Sequence, residues 1–223
     1  MKNLPTHAVV AILYLLAAVP VDAQKKVAEL TIVYDYSIGL EGAEPKQPGG
    51  NETAIHTIYI KGSKSRSEMT NALFSSTTFY DANTGSGVIL KEVSGQKLLI
   101  RLTADNWAER NNLYDGLVFT DTSGTREIAG YHCVKAIGRT RSGATITVFY
   151  TKDILPQNRE YDPAFRSLAG LPLEYELANG NVKIRYLVSK INFNPVPASK
   201  FDIPRSGYRE MNYEESKKSN LGG

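Results

Sequence analysis

Glu127-Ile128-Ala129-Gly130-Tyr131-His132-Cys133-Val134-Lys135-Ala136-Ile137 is followed by the polar run Gly138-Arg139-Thr140-Arg141-Ser142-Gly143. Ala144-Thr145-Ile146-Thr147-Val148-Phe149-Tyr150-Thr151 comes next. Two extended runs, rich in β-branched and aromatic residues, flank a glycine-bounded polar loop, and this pattern predicts a β-hairpin. The stretch holds the only cysteine, Cys133, and one of three histidines, His132. Neighbours on a strand point to opposite faces, so His132 and Cys133 cannot act as base and nucleophile for each other. A lone Cys in an apolar strand reads as a small buried hydrophobe, whose thiol pKa burial raises.

Outward from this hairpin the chain continues in strands. Val27 to Tyr36 alternates, with Ala28, Leu30, Ile32, Tyr34 and Tyr36 on one face and Glu29, Thr31 and Asp35 on the other. Thr53–Lys61 places His56, Ile58 and Ile60 together. Lys64–Thr70 and Ser75–Asp81 follow, then Val88–Val93 and Gln96–Thr103 about a Ser94-Gly95 turn. Asp105 to Asn111, around Trp107, breaks the strand rhythm as a short helix would, and Leu117–Thr120 returns to strand. Asp162 to Gly170 carries the clearest helix signals: Asp162 as cap, Pro163 at the first position and Gly170 for a left-handed exit. On such a helix Phe165, Leu168 and Ala169 face the sheet. Asn179-Gly180 is a preferred two-residue turn. It sets Leu177 opposite Val182, Tyr175 opposite Ile184 and Leu173 opposite Tyr186, with Glu176 meeting Lys183 and Glu174 meeting Arg185 on the other face.

The ends and the charge bound the function. Met1 to Ala23 has a secretory-signal pattern: Lys2, the apolar Ala8–Val19, and Val21-Asp22-Ala23 before the cut. The apolar run is short for a membrane span. Residues 24–208 read as one β domain, Ser37–Asn51 as a Gly/Pro-rich loop, and 209–223 as a polar, disordered tail. The net charge of +3 over 223 residues is too mild to imply nucleic acid or an anionic membrane surface. One cysteine forms no intrachain disulfide, so stability rests on packing.

Each candidate site has a plainer reading. Glu174 and Glu176 share a strand face as a glycosidase pair would, but cationic partners opposite keep both ionised. The histidines and the cysteine are too few for a metal centre. Asp81-Ala82-Asn83-Thr84-Gly85 lacks calcium-loop spacing and reads as a turn. Asn51-Glu52-Thr53 fits an N-glycosylation acceptor. The 13 tyrosines, seven phenylalanines and Trp107 suit core packing, and also a concave apolar site.

Three stretches resemble a secreted bacterial family of unknown function with a fold like that of the lipoprotein carrier LolA. They are Ile58 to Glu68; Ile128 to Ala136 followed by Val148 to Asp153; and Phe201 to Tyr208, with one residue inserted before Gly207. The resemblance implies a mainly β (α+β) fold, a strongly curved antiparallel sheet or incomplete barrel with short helices on its concave side. It implies no catalytic residues and no cofactor. In LolA-type carriers the concave face holds acyl chains.

The reading is therefore a secreted or periplasmic, non-enzymatic binding protein, a carrier of lipid or another hydrophobic ligand, with a lipid or lipidated protein as partner. The ligand-lining candidates are Leu30, Ile32, Tyr34, Ile58, Ile60, Phe165, Leu168, Leu173, Tyr175, Ile184 and Tyr186. The alternative is a cell-envelope structural or interaction protein whose interior is a packed core. A hydrolase ranks third, for want of a nucleophile and base in one motif.

Overall fold

A computed structural model describes residues 24–40, 54–71, 74–93, 95–179 and 182–219. The signal segment 1–23, the Asn51 acceptor and residues 41–51 of the expected loop lie outside them; the first four loop residues, Ser37–Leu40, are not loop but the end of a strand paired along its length with a neighbour.

The strands are β1 (Lys25–Val27), β2 (Glu29–Leu40), β3 (Ala54–Lys61), β4 (Lys64–Thr70), β5 (Phe74–Asp81), β6 (Ser86–Val93) and β7 (Gln96–Leu102). After helix α1 (Ala104–Asn111) come β8 (Phe119–Ile128), β9 (Tyr131–Arg139), β10 (Thr145–Thr151), β11 (Ile154–Pro156), β12 (Leu171–Asn179) and β13 (Val182–Asn192). The chain then forms β14 (Arg209–Met211) and α2 (Tyr213–Lys218).

Twelve strands make one open sheet, in the order β14-β7-β6-β5-β4-β3-β2-β13-β12-β10-β9-β8. Every pair in it is antiparallel except β14 with β7. The fold is mainly β, as the sequence predicts, and the sheet does not close. It does curl. In a flat sheet β2 and β10 would lie about 14 Å apart, with β13 and β12 between them. Their extensions β1 and β11 nevertheless pair directly, Lys25 with Ile154 and Val27 with Pro156.

The inner face carries the alternating apolar set. Leu30, Ile32, Tyr34, Ile58, Ile60, Val148, Leu173, Tyr175 and Tyr186 belong to one buried cluster, closed by Tyr161, Phe165 and Leu168. Ile89, Leu98, Ile100 and Leu102 form a second, packed on Met211 and Tyr213. The outer face of β5–β7 buries Phe79, Val88, Leu90 and Leu99 under Ile203 and Tyr208.

Several expectations need correction. Residues 209–219, expected as a disordered tail, are ordered: β14 adds to the sheet edge, and Asn212 caps α2 by accepting from the Glu215 amide at 2.8 Å. Buried Met211 and Tyr213 give this polar segment the apolar anchors it needs. The run Glu127–Ile137 is not one strand. Ala129 (φ 50°) and Gly130 (φ 79°) form a tight turn between the paired residues Ile128 and Tyr131, so the stretch belongs to two strands.

The β12–β13 register is slipped by two residues from the expected one. Asn179 pairs with Val182, Leu177 with Ile184, Tyr175 with Tyr186 and Glu176 with Arg185. A two-residue slip keeps every side chain on its face, which is why the face pattern could not detect it. Glu174, now opposite Leu187, still reaches the expected Arg185, diagonally at 2.7 Å, and also meets Arg126 of β8 at 2.5 Å.

The helix expected over Asp162–Gly170 is only a 3-10 turn at Pro163–Phe165, capped by Asp162 through the Ala164 amide at 3.0 Å. Gly170 is not left-handed. It is glycine because a Cβ there would overlap the carbonyl oxygen of Thr151.

Two substitutions test these backbone assignments. Ala129→Asn, which relieves a left-handed alanine ahead of Gly130, is expected to raise stability by about 0.5–1 kcal/mol. Gly170→Ala is expected to lower it by about 1–3 kcal/mol through forced displacement of the Thr151 strand. Urea unfolding of the two variants reads both, and equal midpoints would contradict the turn and the close approach.

Candidate functional site

The structure brings the sequence-predicted lining residues together, but as a packed core. Leu30, Ile32, Tyr34, Ile60 and Leu173 are fully buried, and Ile58, Phe165, Leu168, Tyr175 and Tyr186 nearly so. Ile184 is partly buried against them. Their rings interlock: Tyr175 stacks on Tyr186 with centroids 4.6 Å apart and meets Phe165 edge-on at 4.7 Å. Tyr34 lies 5.6 Å from Tyr175 and 5.8 Å from His56.

This core contains a polar thread that the sequence pattern does not reveal. His56 sits among the tyrosines, its Nε2 2.8 Å from Ser67 Oγ on the adjacent strand. Its alternation with Ile58 and Ile60 is the signal for burial. The pair resembles a nucleophile and its base, but the chemistry does not follow. His56 Nδ1 is buried without a hydrogen-bond partner, and an orphaned lone pair is tolerated better than an orphaned N–H. The proton therefore belongs on Nε2, which donates to Ser67 and cannot accept its proton. Burial also pulls the imidazole pKa down to about 4, far from a useful base.

Asp162 has two consequences. Its carboxylate caps the Pro163–Phe165 turn, and burial raises its pKa to about 6 despite the bond from the Ala164 amide. It lies near enough to Tyr34, Tyr114, Tyr161, Tyr175 and Tyr186 to reinforce the rise that burial already causes in their phenol pKa values. Cys133 is fully buried, and burial pushes its thiol up to about 11. Among the described residues, no three His, Cys, Asp or Glu side chains are grouped to hold a metal ion.

Open volume lies on the other side of the sheet. A groove of about 290 Å³ runs between β4–β6 and the segment Phe201–Ile203. Phe79 and Val88, paired across β5 and β6, contribute its apolar sheet surface, and Phe201 and Ile203 face them. Lys64, Asp81, Thr84 and Ser86, at the strand ends, make its polar end. None of the lining residues expected from the sequence touches this groove. Two of the stretches that carry the family resemblance approach it: Phe201 and Ile203 belong to one, and Lys64 and Ser65 to another. The segment is held over the sheet by Arg66, which donates to the Lys200 carbonyl at 2.5 Å, and by Tyr208, whose hydroxyl donates to Glu92 at 2.5 Å.

No protein-family model matches the chain, and no curated protein sequence matches it. Solved structures do. PNGF-II is similar over 84% of this chain at 16% identity, with a TM-score of 0.50, and the chain spans 32% of PNGF-II. An uncharacterized conserved protein from Thermus thermophilus is similar at 11% identity over 82% of this chain and 90% of its own, with a TM-score of 0.46. A LolA superfamily protein from Nitrosomonas europaea is also similar, at 9% identity over 82% of this chain and 93% of its own, with a TM-score of 0.35. At 16% identity the likeness to PNGF-II is one of fold.

His56 and Asp162 make opposite pH predictions. The fold holds a proton on Asp162 more tightly than the unfolded chain does, so this group costs stability as pH rises from about 4 to about 6. The fold resists protonating His56, so that group costs stability as pH falls from about 6.5 to about 4. In the wild type the two contributions oppose each other over that window. Asp162→Asn should lose stability on acidification over that window, and His56→Gln should lose it as pH rises. Urea midpoints measured from about pH 4 to about pH 7 check this; parallel curves for all three proteins would refute it.

Proposed function

We propose that this chain is a secreted or periplasmic binding protein that takes up an apolar ligand without altering it, with a lipid or lipidated protein as its class of partner. One observation carries this reading: the groove of about 290 Å³ with Phe79, Val88, Phe201 and Ile203 on its walls. Its volume is near the lower end of ligand sites, and its walls are mainly apolar with polar groups at one end, as such sites are built. At roughly 30 Å³ for a water-sized group, it takes on the order of ten methylenes. The absence of an activated base beside Ser67 and the raised thiol pKa of Cys133 support a role without catalysis. The signal-like segment supports export. Among the described residues no helix is long and apolar enough to cross a membrane, a statement about helices alone.

The dense inner core favours a second reading, a cell-envelope structural or interaction protein with no small-molecule ligand. Titration with an uncharged fluorescent naphthylamine probe separates the two. Saturable binding that weakens in Ile203→Trp and survives in Phe165→Trp would put the ligand on the outer face. Loss in Phe165→Trp alone would return it to the inner face. No saturable binding by the native fold would leave the structural reading standing.

A further inference from the structure

The polar end of the outer groove presents both signs of charge. Lys64 and Asp81 end adjacent strands and face each other in register, yet no ion pair joins them. Asp81 Oδ1 accepts from the Asn83 amide at 3.0 Å, which fixes the carboxylate at the mouth. Thr84 and Ser86, bonded hydroxyl to hydroxyl at 2.7 Å, lie beside it. Beyond Phe201 the flanking charges again balance, Lys200 before it and Asp202 after it. A purely anionic head group would meet Asp81, and a purely cationic one would meet Lys64.

Resting on the binding reading above, we infer that the groove selects a single-chain amphiphile whose head group carries both a cation and an anion. The chain lies along Phe79, Val88, Phe201 and Ile203. The anionic part of the head faces Lys64 and the cationic part faces Asp81. Each contact is solvent-exposed, so each is worth about one- to fivefold in affinity, and selectivity comes from having both.

The test holds the chain constant and varies the head. Dodecylphosphocholine, dodecanoate, dodecylammonium and dodecanol are titrated below their aggregation thresholds against the full-length mature protein at low salt. The zwitterion is expected to bind tightest. Lys64→Gln should weaken dodecylphosphocholine and dodecanoate by about two- to fivefold and leave dodecanol unchanged. Asp81→Asn, which can still accept from the Asn83 amide, should weaken dodecylphosphocholine and dodecylammonium instead. A uniform ranking of the four heads, or variants that shift all four equally, would overturn the head-group assignment while keeping the groove. If none of the four binds, the binding reading itself fails.

Discussion

The hydroxyl of Tyr34 donates to the carbonyl of Pro172 at 2.8 Å, from the middle of β2 to β12 with β13 lying between them. Tyr34 is fully buried, so its phenol needs a partner inside the fold. Proline has no N–H to give to the ladder, but its carbonyl stays available as an acceptor. The bond therefore draws two non-adjacent strands toward a common interior and sets the ring against which Tyr175 and His56 pack. The curl of the sheet, the close seat of Gly170 against Thr151 and the β1–β11 pairing all sit around this one contact. An open sheet has no closure condition to fix its curvature, so a few such bonds must do it.

The two faces of the sheet divide the work. The inner face is filled by aromatic side chains of the chain itself, and its buried polar atoms titrate far from their usual ranges. Among the described residues, the outer face of β4–β7 is covered by a short 3-10 turn, Ala198–Phe201, and the irregular segment after it, pinned at Lys200 and Tyr208 by hydrogen bonds to side chains of the sheet. An irregular backbone cannot interdigitate with a pleated surface as regularly as a helix or second sheet, so a gap between them follows from the architecture.

Strand positions and the burial of Leu30, Ile32, Tyr34, Ile58 and Ile60 were legible because period-two alternation reports directly on which face is covered. The β12–β13 pairing was not, since slips by two residues leave that alternation intact. The turn at Ala129-Gly130 was hidden because alanine is a poor marker for a left-handed position. The groove was invisible for a different reason. Phe79 and Phe201 come together only when the C-terminal segment crosses the sheet, and no local pattern records a crossing. Nor does sequence distinguish a residue that fills a cavity from one that lines it.

The sheet ends in two edges, and they differ in what they would offer a passing chain. On one side β14 is three residues long and is followed at once by α2, leaving little free backbone. On the other, β8 runs for ten residues, Phe119–Ile128, with its outer side unpaired in the sheet order. Its register breaks between Asp121 and Thr125, and it carries Asp121, Arg126 and Glu127. A strand approaching this edge would find the regular ladder interrupted midway, beside Asp121 and Arg126 already engaged over the sheet with Lys152 and Glu174. An open sheet bounded in this way offers its copies a poor template for edge-to-edge pairing.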